Sequence, residues 1–283
     1  MRILSIQSSV SYGHVGNSAA VFPLQRLGHE VMPVYTVVFS NHTGYGDWGG
    51  PMLTGENVRS IIVGIDARGG LNDVELVLSG YQGGDDIGDA ILDAVALVKQ
   101  RNPGAIYACD PVLGSATSGC FVAPEVQSLI RDRVVPQADL ITPNQFELGF
   151  ITGTDPHSLE ETLQSVDQVR DIGPSSVLVT SVLRPDRPEG TIEMLAVTND
   201  GAWIVQTPHL PFKANGSGDV TAALFGAHLR SSSDPEFALA RTASSVFELL
   251  ENTLNSGQRE LQLIESQEAY VTPKYSFDAQ RVR

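Results

Sequence analysis

Short β-rich runs alternate with longer runs of helical period along most of this chain, and that alternation restricts it to an α/β architecture. The spacing predicts strands over residues 3–6, 30–38, 75–79, 105–110, 139–142 and 176–181. It predicts helices over 17–27, 54–68 and 85–101, the first closed by Gly28. Residues 193–198 and 203–206 read as a hairpin turning at Asn199-Asp200-Gly201, and the last third is helical over 219–229 and 236–254. No repeat and no Pro/Ser/Gly-rich linker breaks this order, so residues 1–283 are read as one domain.

Ligands of open parallel α/β sheets sit beyond the carboxyl ends of the strands. The polar turns that follow the predicted strands therefore form the candidate site: residues 8–14, 41–46, 80–84, 110–117, 142–147, 180–181 and 215–219. Charge bounds the partners. With 33 acidic against 18 basic residues, a net charge of −15 opposes nucleic-acid backbones and anionic membranes, so an anionic ligand must rely on a local pocket. No run approaches the ~18 apolar residues of a membrane span, and no basic segment leading into a long apolar stretch precedes the first strand. Cys109 and Cys120 lie in a stretch without histidines, which indicates neither a zinc cluster nor a disulfide framework and fits a reducing compartment. The expectation is a soluble, cytoplasmic protein.

Three clusters carry chemistry. Asn215-Gly216-Ser217-Gly218-Asp219 precedes an apolar helix. The glycines permit tight curvature, and the helix start offers unpaired amides to a phosphate. Asp219 would lie beside that cradle, placed to take a proton from an alcohol attacking a terminal phosphate. It would equally suit the first turn of any helix, where the dipole favours an acid. Thr142-Pro143-Asn144-Gln145-Phe146-Glu147 follows a strand, and its Asn144-to-Glu147 spacing is that of a helix capping box. The same residues suit a nucleotide site, with Glu147 holding Mg²⁺ through water and Thr142 and Asn144 facing phosphates. Asp110 ends the third cluster's strand, where it could balance the cations around ATP or simply begin an Asp-Pro turn. No G-x-x-x-x-G-K-[ST] string and no opening G-x-G-x-x-G unit occurs, which argues against P-loop and dinucleotide-binding folds.

Two longer strings narrow the family: Gln7-Ser8-Ser9-Val10-Ser11-Tyr12-Gly13-His14-Val15-Gly16-Asn17-Ser18 and Phe39-Ser40-Asn41-His42-Thr43-Gly44-Tyr45-Gly46. With Ser79-Gly80-Tyr81, Cys109-Asp110-Pro111-Val112-Leu113-Gly114 and the two clusters above, the chain resembles the pyridoxal kinases, in order from Ile3 to about Pro273. The resemblance implies a ribokinase-like, mostly parallel central sheet flanked by helices on both faces. It also implies a homodimer, MgATP, a monovalent cation (K⁺ or Na⁺) and a role in vitamin B6 salvage. By the same resemblance Ser8 contacts the vitamer ring, and His42, Thr43, Gly44 and Tyr81 line its pocket. Asp110, Thr142 and Glu147 form the metal group, and Asn144, Thr180 and Ser181 join Asp110, Thr142 and Glu147 in facing ATP. Gly216, Ser217 and Gly218 form the anion loop, and Asp219 is the catalytic base. Ser217 stands where many family members have Thr or Val, a change that leaves the backbone amides in place.

The implied reaction phosphorylates the 5′-hydroxymethyl group of pyridoxal, with pyridoxine and pyridoxamine as related substrates. Two other readings use the same features. One is a hydroxymethylpyrimidine kinase of thiamin synthesis, which Tyr12-Gly13-His14 and Asn41-His42-Thr43 argue against; the other is a B6 carrier or sensor of poor turnover, which Asp219 and Glu147 argue against.

Overall fold

The computed structural model describes residues 1–283. In chain order the elements are β1 (Arg2–Tyr12), α1 (Asn17–Arg26), β2 (Glu30–Asn41), α2 (Gly55–Asp66), β3 (Val74–Ser79), α3 (Asp85–Arg101) and β4 (Ile106–Cys109). Next come the small hairpin β5 (Gly114–Ser115) and β6 (Gly119–Cys120), then α4 (Pro124–Leu129), β7 (Leu140–Ile141), α5 (Gln145–Thr152), α6 (Leu159–Arg170) and β8 (Ser176–Val182). The chain finishes with β9 (Thr191–Thr198), β10 (Gly201–Pro208), α7 (Ser217–Ser232), α8 (Pro235–Ser256), α9 (Gln267–Val271) and β11 (Gln280–Arg281). No helix is long and apolar enough to cross a membrane.

Nine strands form one sheet in the order β11-β10-β9-β8-β7-β4-β3-β1-β2. From β2 to β8 every pairing is parallel, and the predicted hairpin adds β9 and β10 antiparallel beyond β8. Strand geometry sends alternate side chains to opposite faces, and the core divides accordingly. Leu4, Ile6, Val77, Val177 and Val179 join the larger core beneath α2 to α6. Ile3, Leu76, Leu78 and Leu178 join the core covered by α1, α7 and α8. Helices therefore cover both faces, as the resemblance implies.

β1 runs six residues past its predicted end, and polar side chains make that extension possible. Ser5, Gln7 and Ser8 are all buried, and a register shift against β2 interrupts the ladder between Gln7 and Ser9. The first turn of α1 repairs the break. Asn17 Nδ2 donates to the carbonyls of Ser5, Gln7 and Val34 at 3.0–3.3 Å. Ser18 Oγ donates to the Val10 carbonyl at 2.8 Å and accepts from the Val10 N–H at 3.1 Å. The end of β1 is thereby carried out toward the polar turns with its backbone groups satisfied.

Candidate active site

The parallel strands deliver their polar turns to one end of the sheet, and the amino end of α7 arrives among them. Gly216 occupies the N-cap of α7 in a left-handed conformation, φ +85°. A side chain there is excluded twice, since a Cβ would also lie 1.9 Å from the His14 carbonyl oxygen. The first amides of α7 consequently stay unobstructed at the start of a 16-residue helix, an arrangement suited to an anion. Asp219 sits in that first turn, and burial pushes its carboxyl up from 3.8 to about 6, while the Gly16 and Asp219 amides pull it partly back. Gly16 in turn packs on Ser8: a Cβ on Gly16 would lie 2.3 Å from both the carbonyl and the hydroxyl oxygen of Ser8. Ser8 and Asp219 are thus held on either side of one glycine.

Asp110 reaches the same space from the end of β4. A Cβ on Gly218 would lie 3.8 Å from Asp110 Oδ2. Asp110 is buried, and burial, then the charges of Glu147 and Asp219, raise its carboxyl well above the ordinary range. The Thr142 hydroxyl approaches closely enough to lower Asp110 somewhat, yet it is buried and makes no well-formed hydrogen bond. A buried carboxyl crowded by two others, beside an orphaned hydroxyl, is a donor set that a divalent cation would suit. No three His, Cys, Asp or Glu side chains converge on a single point. That geometry matches Mg²⁺, which takes one or two carboxylates and leaves its remaining positions to phosphates and water.

Glu147 makes the capping box that its spacing from Asn144 predicts. Both halves of the capping box form at the start of α5: the Glu147 N–H donates to Asn144 Oδ1 at 3.0 Å and Glu147 Oε2 accepts the Asn144 N–H at 2.9 Å. Glu147 Oε1 also accepts the N–H groups of Leu113 and Gly114, at 2.7 and 3.1 Å. Its oxygens thus serve the capping box and the 113–114 loop at once. Burial raises this carboxyl, and those three amides counter the rise. The loop they anchor is strained: Val112 adopts φ +43°, which a β-branched residue rarely does. Asn144 Nδ2 holds the loop from the other side through the Gly114 carbonyl, at 2.8 Å. Thr180 comes alongside through a parallel bridge to Asn144 and its N–H bond to the Pro143 carbonyl at 2.9 Å. Ser181 follows it, exposed and at φ +54°, and Gln145 Oε1 fixes the next turn by accepting the Leu183 N–H at 2.8 Å.

The other rim is built by β1, β2 and β3. Tyr81 is half-buried and packs on Val10, Val15, Val37 and Phe39, and its carbonyl accepts the Thr36 hydroxyl at 2.8 Å. His42 caps a short turn, Thr43–Tyr45, by accepting the Gly44 N–H on Nδ1 at 3.0 Å. Thr43 and Gly44 are exposed at this rim. Burial lowers the His42 pKa; Glu260 opposes the shift, whereas Arg259 and Lys213 add to it. The sequence motifs contain Gly16, Asn17 and Tyr45 but assign them no part, and Glu260 lies outside every motif.

The arrangement can therefore hold an anion on the first turn of α7 and a cation beside Asp110, with Asp219 in the same first turn and Ser8 against Gly16. The family model described as phosphomethylpyrimidine kinase matches residues 87–263, more than half of the chain. The chain is 66% identical over 282 residues to the pyridoxal kinase PdxY of Leifsonia xyli and 57% identical to that of Corynebacterium diphtheriae, each match covering 100% of both chains. Among solved structures, the pyridoxal kinase of Leishmania donovani in complex with ADP and pyridoxamine superposes with a TM-score of 0.92 at 27% identity, covering 100% of this chain and 99% of that one. The pyridoxal kinase of Trypanosoma brucei gives 0.87 at 28% identity, with 99% of each chain covered. Similarity that holds end to end in sequence and in structure leaves one assignment: the chain belongs to the pyridoxal kinase family.

Proposed function

We propose that this protein transfers the γ-phosphoryl group of ATP to the 5′-hydroxymethyl group of pyridoxal, giving pyridoxal 5′-phosphate in B6 salvage. The observation that carries the reading is a half-buried carboxyl, Asp219, set in the first turn of α7, in a chain whose end-to-end relatives are named pyridoxal kinases. Asp219 accepts the hydroxyl proton as the alcohol attacks, and a carboxyl raised to about 6 matches that task near neutral pH. The amides of Gly216, Ser217 and Gly218 at the start of α7 stabilise the charge of the transferring phosphoryl group. Ser8, His42, Thr43, Gly44 and Tyr81 orient the vitamer, while Asn144, Thr180 and Ser181 face the nucleotide across the cleft. Asp110 and Thr142 would hold Mg²⁺, which when bound neutralises the polyphosphate. Pyridoxine and pyridoxamine, which share the hydroxymethyl group, are further substrates in this reading; pyridoxamine is the ligand of one neighbour and pyridoxine of another. A homodimer is part of the proposal too, supported by exposed apolar side chains on the edge strand β2 and just after it, Tyr35, Trp48 and Met52.

One observation favours a second reading. The family model that carries the pyrimidine-kinase description begins at residue 87, so it includes Asp110, Thr142, Glu147 and Asp219 but not Ser8, His42, Thr43 or Tyr81. The phosphoryl-transfer half is thus common to both reactions, and the ring-binding residues decide between them. Initial rates of ATP consumption with pyridoxal, pyridoxine, pyridoxamine and a hydroxymethylpyrimidine test this directly. The expected result is a kcat/KM highest for a B6 vitamer. Turnover of the pyrimidine alone, or of none of the four, would overturn the proposal.

A further inference from the structure

The turn at Thr43–Tyr45 bears pocket residues and yet has no buried residue of its own. Apolar packing therefore cannot fix its position, and something else must. The contacts that do so come from 215 positions away in sequence. Glu260, in the segment after α8, accepts the Tyr45 hydroxyl on Oε1 at 2.5 Å and the His14 N–H on Oε2 at 3.0 Å. Its neighbour Arg259 stacks its guanidinium 3.8 Å from the Tyr45 ring centroid and donates to the Gly44 carbonyl at 3.3 Å. Tyr12 meets the same ring edge-on, with centroids 6.0 Å apart. Gly13 leaves room for the carboxylate: at φ +92°, a Cβ there would lie 2.3 Å from Glu260 Oε2. One residue further, a Cβ on Gly216 would lie 3.2 Å from Leu261 Cδ1.

The segment 259–261 thus touches the vitamer-side turn, the end of β1 and the anion loop together. We propose that Glu260 is a positioning residue that latches the 42–45 turn, through Tyr45, onto the Gly13–Gly16 bend that packs against Ser8 and Asp219. The inference rests on the proposed function and adds to it a group that touches no substrate. Its physical content is geometric coupling. When the bond between Tyr45 and Glu260 forms, His42 and Thr43 stand at a fixed distance from Ser8; when it is lost, the exposed turn samples other positions and the vitamer must select one of them on binding. The Tyr45 hydroxyl is protonated at neutral pH and so is the donor in this bond.

Tyr45→Phe, Glu260→Gln and the double variant test the proposal, with steady-state KM for pyridoxal and for ATP each measured with the other substrate saturating. Tyr45→Phe keeps the ring against Arg259 and Tyr12 and removes one hydroxyl, so it isolates the latch even if Glu260→Gln folds poorly. A KM for pyridoxal raised on the order of 10-fold in Tyr45→Phe is expected, with the KM for ATP within about twofold of wild type. The double variant should be no worse than Glu260→Gln alone, because both changes break the same bond. A pyridoxal KM that stays within about twofold of wild type in Tyr45→Phe, or equal rises for both substrates, would overturn the latch while leaving the proposed function intact. A wild-type protein that does not turn over pyridoxal would instead remove the reading on which the latch depends.

Discussion

Burial keeps the proton on Asp219 up to about pH 6, which makes this carboxyl a competent base at neutral pH and a burden on the folded state. In the unfolded chain the group ionises near 3.8. Between those two values the native protein binds more protons than the unfolded one, so stability falls as pH rises through the window, and the cost is fully present above pH 6. A shift of roughly two units corresponds to at most about 3 kcal/mol. Asp219→Asn should therefore raise Tm at pH 7.5 while lowering kcat by roughly 10²–10⁴, with the gain in Tm shrinking as the two proteins are compared toward pH 5. Wild-type kcat/KM should fall on the acid side with an apparent pKa near 6. An Asn variant that turns over normally, or an acid limb near the ordinary carboxylate value, would remove the base from Asp219. The flanking residues explain why the burden is tolerated. The Gly16 and Asp219 amides favour the charged form, and a side chain on Gly16 would displace the first of them, since the Ser8 oxygens leave only 2.3 Å there.

Elements with a strong period were readable in advance, and those whose stripe is disguised were not. α3 occupies the predicted 85–101 because Ile87, Ile91, Ala94, Val95 and Val98 keep helical spacing along one buried face. α6 was missed: two of its four buried residues, Thr162 and Ser165, are polar, so the apolar period never shows. α5 was half seen, its capping box recognised but its eight residues too few and too apolar to display a period. The sequence reads β1 as ending at Ile6 because Gln7, Ser8 and Ser9 interrupt the apolar run, and only the tertiary position of Asn17 shows how this backbone is satisfied. The strand-end loops of the site were legible as polar turns. Their pairings across the cleft, such as Glu147 to Leu113, were not, because local spacing carries no record of them. Two predictions follow from such elements. Asn17→Ala leaves three buried carbonyls at the β1 bulge without that donor, and it should cost about 2–4 kcal/mol in a denaturant titration. A loss under about 0.5 kcal/mol would mean that the bulge is held by other contacts. Glu147→Gln retains shape but sets an amide NH₂ against backbone donors at the start of α5. It should lower Tm and also raise the Mg²⁺ concentration for half-maximal rate, by removing a charge beside Asp110. A lowered Tm with unchanged Mg²⁺ dependence would confine Glu147 to capping.

Considered as one charged body, the molecule works against its own substrates. Its net charge of −15 repels ATP and also repels itself in the compact state. The opposing ion pairs are mostly at the surface, where each contributes about 0–1 kcal/mol; a buried exception is Glu193, fully enclosed and gripped by Arg184 at 2.7 Å and 2.9 Å. Adding inert salt weakens both the repulsion and the surface pairs, and the excess of 33 acidic over 18 basic residues decides which loss matters more. Raising ionic strength from about 0.02 to 0.2 M shortens the screening length from roughly 20 Å to 7 Å. Tm should therefore rise, by a few degrees, and the screening part of that rise is the same in KCl, NaCl and tetramethylammonium chloride, because screening depends on ionic strength and not on which cation supplies it. A fall in Tm would show that the surface pairs dominate. The same three salts separate screening from a bound ion. The family resemblance implies a monovalent cation, and the large tetramethylammonium ion cannot replace a small cation that must lose water to bind between oxygens. At equal ionic strength kcat should then be higher in K⁺ or Na⁺ than in tetramethylammonium, with any further rise in Tm confined to the cation that binds; equal rates in all three salts would show that the reaction needs no monovalent cation.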